Sequence, residues 1–324
     1  MSERRKQIEE PVAAEFARFN EDFESSLRSE TNRLQSAIEI LLNSTGKHVR
    51  PLLVLLTAKA CGQVKDQTIN SAVLLELLHT ATLIHDDVID ETKQRRGVPS
   101  LNAIFDNRVS VLVGDYILST ALTRSIQTGD LRIVAIISNL GRDLSEGEIK
   151  QLETAEESIV DEACYMQVIR KKTATLLSAC TEIGAISSGA TAEQIDLCRQ
   201  FGEYLGYAFQ IKDDIFDYFH EAQIGKPTGN DIREGMVTLP LLYALKQGGA
   251  EAEAFLRVIR EKDFTQENVE ALIAFAKERG GIEYAESRMK EYRDKAVEML
   301  QSLPDTAARR SLFTLADYVI ERSK

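Results

Sequence analysis

The chain has 324 residues and a net charge of −12. That charge excludes a general nucleic-acid binder, whose affinity comes from neutralising phosphates with Lys and Arg. It leaves room for a phosphorylated small substrate, because a divalent metal can bridge two negative partners. Six prolines, no tryptophan and no alternating run flanked by Asn-Gly or Asp-Gly turns exclude a strand-rich chain.

Taken in order, residues 12–42 carry Phe16, Phe19, Phe23, Leu27, Leu34, Ile38 and Leu41 at three-to-four spacing, which predicts one surface helix. The N-terminus, MSERRKQIEEPVAAEF, is charged and lacks the apolar core of a secretory signal. The helix stops near Gly46, and Pro51 suits the first turn of the next one, PLLVLLTAKACG. A break at Gly62 to Asp66 leads to a helix over Gln67 to Asp90, and TKQRRGVP (92–99) reads as a loop. Helical patterns follow at Val109 to Gln127, Asp130 to Thr154 and Val160 to Ser188. Thr191 with Gln194 predicts a capping box opening the next helix. Gly225 to Gly235 is turn-rich, and Pro304 would start the last of roughly three or four further helices.

No linker, composition shift or short repeat interrupts the chain. The sum is one all-α domain over 1–324, with about ten to twelve helices and a buried centre. Lys59, Asp115 and Glu182 interrupt the longest apolar stretches, so no membrane-spanning helix is expected. Cys61, Cys164, Cys180 and Cys198 are widely spaced in apolar helical contexts. They read as buried free thiols in a reducing compartment, the cytoplasm.

The chemistry begins at ELLHTATLIHDDVIDETKQRR (76–96), an apolar helix that ends in three aspartates. Buried or crowded carboxylates are costly unless something cationic neutralises them. Asp86 and Asp90, one turn apart, share a helix face and can bridge a hard cation such as Mg²⁺. Asp213, Asp214 and Asp217 repeat the spacing of Asp86, Asp87 and Asp90. One DDxxD is expected by chance roughly 0.1 times in this length. Two copies, each after an apolar helix, point to metal ligands rather than a solvated helix end.

Basic residues gather around the same segments. Arg95 and Arg96 follow Asp90, while Lys47, His48 and Arg50 sit at a helix start whose free N–H groups favour anions. Lys171 and Lys172 lie in RKKTA, and Lys226 follows the second aspartates. Each alone suits a solvated surface; together with two carboxylate groups they suit a site for more than one polyanion. His79 lies seven residues before Asp86 on the same helix face.

GKHVRP (46–51), HDDVIDETKQRRG (85–97), VLVGDY (111–116), KTA (172–174), GYAFQIKDDIFDY (206–218) and GKPTGNDIREGMVTLPL (225–241) resemble the trans-polyprenyl diphosphate synthase family. The resemblance implies an all-α fold of the isoprenoid synthase type around a central cavity, usually a homodimer, with three Mg²⁺ ions. It implies that Asp86, Asp90 and Asp213 make the main magnesium contacts, supported by Asp87, Asp214 and Asp217. Lys47, Arg50, His79 and Arg96 would hold isopentenyl diphosphate. Arg95, Lys172, Gln210 and Lys226 would hold an allylic diphosphate, with Thr173 beside the developing cation. The catalytic set implied in this way is Asp86, Asp87, Asp90, Arg95, Lys172, Thr173, Gln210, Asp213 and Lys226. Two positions depart from the family: Met236 stands where Lys is frequent, and His48 where Arg is frequent.

Product length should depend on what lies below Asp86 and Asp90. Short-product members of the family close the pocket there with an aromatic residue, whereas this chain has Ala81 and Thr82. The expectation is a long all-trans product of roughly C30–C50, released through transient membrane contact. The helix LRIVAII (131–137) is the alternative floor. The rival readings are a farnesyl- or geranylgeranyl-length synthase, a class I terpene cyclase, and a non-catalytic synthase subunit.

Overall fold

The computed structural model describes residues 3–43, 46, 48–95, 98–219 and 228–322. These form α1 (Glu3–Glu9), a 3-10 turn (Glu10–Val12), α2 (Ala13–Ser26), α3 (Asn32–Asn43), α4 (Val49–Cys61) and α5 (Asp66–Ile89). The antiparallel strands β1 (Gln94–Arg95) and β2 (Val98–Pro99) come next. Then follow α6 (Leu101–Ile104), α7 (Asn107–Gln127), α8 (Leu131–Glu156), α9 (Glu162–Ile169), a π turn (Arg170–Ala174), α10 (Thr175–Ser188) and α11 (Ala192–Phe216). The chain closes with α12 (Asn230–Arg233), α13 (Leu239–Lys246), α14 (Ala250–Glu261), α15 (Gln266–Glu278), α16 (Gly281–Gln301) and α17 (Ala307–Glu321).

The all-α expectation holds, with more helical segments than the sequence pattern suggested. The expected helix over 12–42 is two helices, because residues 27–31 are polar and turn-forming after Leu27. There the Ser29 N–H donates to Gln35 Oε1 at 3.0 Å and the Thr31 N–H to Ser29 Oγ at 3.1 Å, so side chains replace helix bonds. The pattern over 160–188 is broken by the π turn. The capping box is formed as expected: Thr191 N–H donates to Gln194 Oε1 at 3.0 Å and Gln194 N–H to Thr191 Oγ1 at 3.2 Å. Pro304 lies before α17 rather than in it, and the loop expected at 92–99 contains the two short strands.

Internal contacts divide the chain into two units. Unit 1 is Met1–Ser138, Ala179–Arg199 and Ser302–Thr314; unit 2 is Asn139–Ser178, Gln200–Gln301 and Leu315–Lys324. In unit 1, α5 runs along α7 and α4, and its Leu74, Leu75, Leu77 and Leu78 are buried. At roughly 1.5–3 kcal/mol for each fully buried aliphatic side chain, these leucines help anchor the helix that carries the first aspartates. Unit 2 has its own core, in which α13 packs on α15 and α16, with Leu239, Leu241, Leu272 and Ala285 buried. No helix among the described residues is long and apolar enough to cross a membrane. All four cysteines are free.

Candidate active site

Both aspartate groups close long helices, α5 and α11. A helix C-terminus carries partial negative charge, so carboxylates there repel the dipole and favour a cation nearby. In unit 1 the first such cation is Arg95, reached by the turn into β1. Its guanidinium donates from Nε at 2.8 Å and lies with Nη2 at 2.7 Å from Asp87 Oδ1. Asn102 Nδ2 and Thr92 N–H both donate to the Asp87 carbonyl, at 2.9 and 3.0 Å, which ties the hairpin to the helix end. Asp87 is therefore buried and engaged, while Asp86 is half-buried and Asp90 is exposed at the C-cap.

The motif VLVGDY has a packing reason. A Cβ on Gly114 would lie 2.3 Å from His85 Nε2, so glycine in α7 makes room for the histidine that precedes Asp86. A cavity in unit 1 is lined by His48, Glu76, His79, Leu83, Asp87 and Arg95, among others. His48 adopts a left-handed φ of 46° at the start of α4. Its ring packs among Phe16, Phe19 and Phe23, with Nε2 3.9 Å from Glu76 Oε1. The structure thus brings His79, Asp87 and Arg95 to one cavity. Arg50 is half-buried in the first turn of α4 and is not among the residues lining it. Ala81 is fully buried; Thr82 is half-buried, with its hydroxyl donating to the His79 carbonyl at 2.8 Å. Lys47, Arg96 and Lys226 lie outside the described residues.

In unit 2 the three aspartates of α11 have three different surroundings. Asp213 has a side chain 40% exposed and accepts a 2.6 Å hydrogen bond from Arg322, whose guanidinium stacks 4.0 Å from the Phe209 ring centre. Asp214 is 5% exposed and accepts from Tyr165 Oη at 2.5 Å and from Gln210 Nε2 at 2.8 Å. Burial pushes its carboxyl up to about 7, with Asp213 and Asp217 adding and the Tyr165 and Gln210 hydrogen bonds opposing. Asp217 accepts the backbone N–H groups of Asn230 and Asp231, both at 3.0 Å, and so caps α12.

Thr173 lies in the π turn, a wide turn often found at functional sites. Its hydroxyl donates to Gln210 Oε1 at 2.6 Å. The register is set by Gly206, because a Cβ there would meet Ala174 Cα at 2.4 Å. Only glycine lets α11 approach the KTA segment this closely. Lys172 Nζ sits 2.7 Å from Glu148 Oε2 and donates to Gln151 Oε1 at 3.2 Å. A cavity in unit 2 is lined by Lys172, Thr173, Gln210 and Asp214 together with Tyr165 and Met236; Ile159, Val168 and Ile169 add apolar wall. Sequence reading missed Tyr165 and Arg322. Each acts through a partner 49 or 109 positions away, and no local pattern marks such a pair.

The donors suit magnesium: all are hard carboxylate oxygens, and Mg²⁺ takes one or two of these and completes its shell with water and phosphate oxygens. Among the described residues, no group of three or more His, Cys, Asp or Glu converges as a metal cluster. That is compatible with an ion that draws few protein ligands.

Carboxylates at helix ends beside pockets of fixed cations and amides, on an all-α chain, are the arrangement the family resemblance of the sequence implies. A family model for polyprenyl synthetase matches residues 31–276. Octaprenyl diphosphate synthase of Escherichia coli (strain K12) is 36% identical over 318 residues, covering 98% of each chain. A polyprenyl synthase from Caulobacter crescentus CB15, complexed with calcium and isoprenyl diphosphate, gives a TM-score of 0.93 at 31% identity, covering 99% of this chain and 98% of that one. Geranylgeranyl pyrophosphate synthase from Bacteroides thetaiotaomicron gives 0.87 at 41% identity, covering 99% and 100%. The chain belongs to the polyprenyl synthetase family and is a prenyltransferase.

Proposed function

We propose that the chain extends an allylic diphosphate with isopentenyl diphosphate to a long all-trans polyprenyl diphosphate of roughly C30–C50. The observation that carries this reading is the gathering of Lys172, Thr173 and Gln210 around one cavity with apolar walls. Such a cavity offers a cation for a leaving diphosphate and an oxygen-lined, otherwise apolar surface for the carbon skeleton. Relatives named for octaprenyl products support the long-chain length.

Asp86, Asp90 and Asp213 would hold the Mg²⁺ ions, with Asp87, Asp214 and Asp217 fixing the helix ends that carry them. When bound, the metal neutralises charge that builds on the departing diphosphate. Lys172, and Arg95 through the hydrogen-bond directions its Asp87 partner leaves open, add fixed positive charge that needs no reorganisation during ionisation. Thr173 places an oxygen lone pair near the electron-poor carbon. Arg50, His79, Lys47 and Arg96 hold the second diphosphate, so that the attacking double bond is positioned rather than awaited. Met236 in the cavity wall is an apolar surface where a lysine would have been a further anion contact.

The units act as one synthase, a reading supported by the family match running from residue 31 to 276 across both. A homodimer is supported by α7, where Val111, Leu112, Leu122 and Ile126 are exposed within an arc of about 100°. The compartment is the cytoplasm, supported by four free thiols.

The test is to incubate the purified chain with Mg²⁺, isopentenyl diphosphate and farnesyl diphosphate and to weigh the product. Stepwise five-carbon elongation to C30 or beyond is the expected result. A product ending at C20 overturns the length, a hydrocarbon product points to a cyclase, and no turnover points to a partner subunit.

A further inference from the structure

Tyr165 sits on α9 facing the cavity of unit 2, and nothing in the proposed chemistry requires a phenol there. Its position is nevertheless specific. In a straight α-helix, Tyr165 and Thr173 would differ by about 80° around the axis, since eight residues make two turns and a fraction. The π turn at Arg170–Ala174 absorbs one extra residue, which brings the two within about 20° of the same face. Both therefore line one cavity.

The hydrogen bonds then form a directed chain. Tyr165 Oη–H donates to Asp214 Oδ2 at 2.5 Å, and Gln210 Nε2–H donates to Asp214 Oδ1 at 2.8 Å. The NH₂ side of the Gln210 amide thus faces Asp214, whose two oxygens both act as acceptors here. The carbonyl side of that amide then faces Thr173 and accepts its hydroxyl proton at 2.6 Å. Thr173 is left with its proton committed and its oxygen lone pairs as the group it can offer to the cavity. Reversing the amide would turn its NH₂ toward Thr173, and the hydroxyl would then point its proton elsewhere.

We propose that Tyr165 is a positioning residue for the prenyl transfer, fixing Asp214, and through it the Gln210 amide, so that Thr173 presents lone pairs rather than a proton to the reacting carbon. The inference rests on the function proposed above. Without the phenol, Asp214 has one donor instead of two at a buried carboxyl. The carboxylate can then rotate, and the amide loses the partner that sets its direction.

The experiment compares Tyr165→Phe, Thr173→Ala and the double variant with the wild type in the elongation assay. Each is checked for an unchanged thermal midpoint. Tyr165→Phe is expected to lower kcat by about 10-fold or more while the KM for isopentenyl diphosphate moves less than about 2-fold. In the Thr173→Ala background the same change is expected to cost less than about 2-fold, because the chain no longer has an end to position. Equal losses in both backgrounds, or a wild-type kcat for Tyr165→Phe, overturn the inference. Should Tyr165→Phe not fold, fluorinated tyrosines at position 165 vary the acidity of the same phenol without removing it; a kcat that does not follow the acidity also overturns it. A wild-type chain that elongates while these variants behave as overturning cases sinks the inference alone, whereas a wild-type chain that never elongates sinks the functional reading with it.

Discussion

At the residue scale, the two DDxxD motifs look equivalent in sequence and are not equivalent in the folded chain. Asp213 has a side chain 40% exposed, while Asp217 spends both oxygens on the N–H groups that begin α12. Asp213→Ala should therefore cost activity, by roughly 100-fold or more, with little change in folding. Asp217→Ala should instead lower stability by about 1–2 kcal/mol through the lost cap; kcat and urea midpoints measured on both variants separate the two roles. Ala81 is buried on α5 below Asp86, and Phe there should shorten the product, as read by chromatography; unchanged length would move the floor to another helix. Glu182 gives a pH signature away from the catalytic residues. Burial raises its pKa, against the opposing pull of Arg199 and with Asp196 adding. A raised carboxyl contributes stability that is complete below its ordinary range and is lost as pH rises through the folded value. Glu182→Gln should accordingly raise the thermal midpoint at pH 8, and the gain should fade toward pH 4.

At the element scale, the decisive contact is α11 against the π turn. Helix α11 carries Gln210 and the second aspartates, the π turn carries Lys172 and Thr173, and Gly206 is what lets them meet. Gly206→Ala puts a methyl 2.4 Å from Ala174 Cα, a backbone atom held within continuous helix. Overpacking of this kind costs about 1–3 kcal/mol. The expected outcome is a lower urea midpoint together with a lower kcat, since relief by moving α11 also parts Gln210 from Thr173. A loss of stability with kcat intact would show that the register tolerates the shift.

At the scale of the whole molecule, α7 exposes a largely apolar stripe, with Leu112 67% and Ile126 69% exposed. Ile126→Glu leaves the monomer's core untouched, so its effect on monomer stability should stay within about 0.5 kcal/mol. Light scattering should report a dimer for the wild type and a monomer for this variant. A wild-type monomer would remove the dimer from the reading.

The all-α class, the capping box at Thr191 and both carboxylate groups were legible in the residues themselves, because helical periodicity, capping and DDxxD spacing are local properties read within a few turns. The family resemblance was legible for the same reason: its motifs are short and contiguous. Only the tertiary structure decided what each motif residue does with its hydrogen bonds. Arg95 closes on Asp87 through a hairpin, Arg322 reaches Asp213 from near the far end of the chain, and Tyr165 reaches Asp214 across the π turn. The break of the first expected helix and the π turn itself also escaped the pattern, since side-chain competition for backbone groups and one extra residue in a turn leave hydrophobic spacing almost unchanged. Sequence determined which chemical groups the protein owns. Folding decided which carboxylates remain available, because a buried carboxylate must find donors, and those donors come from parts of the chain that are distant in sequence.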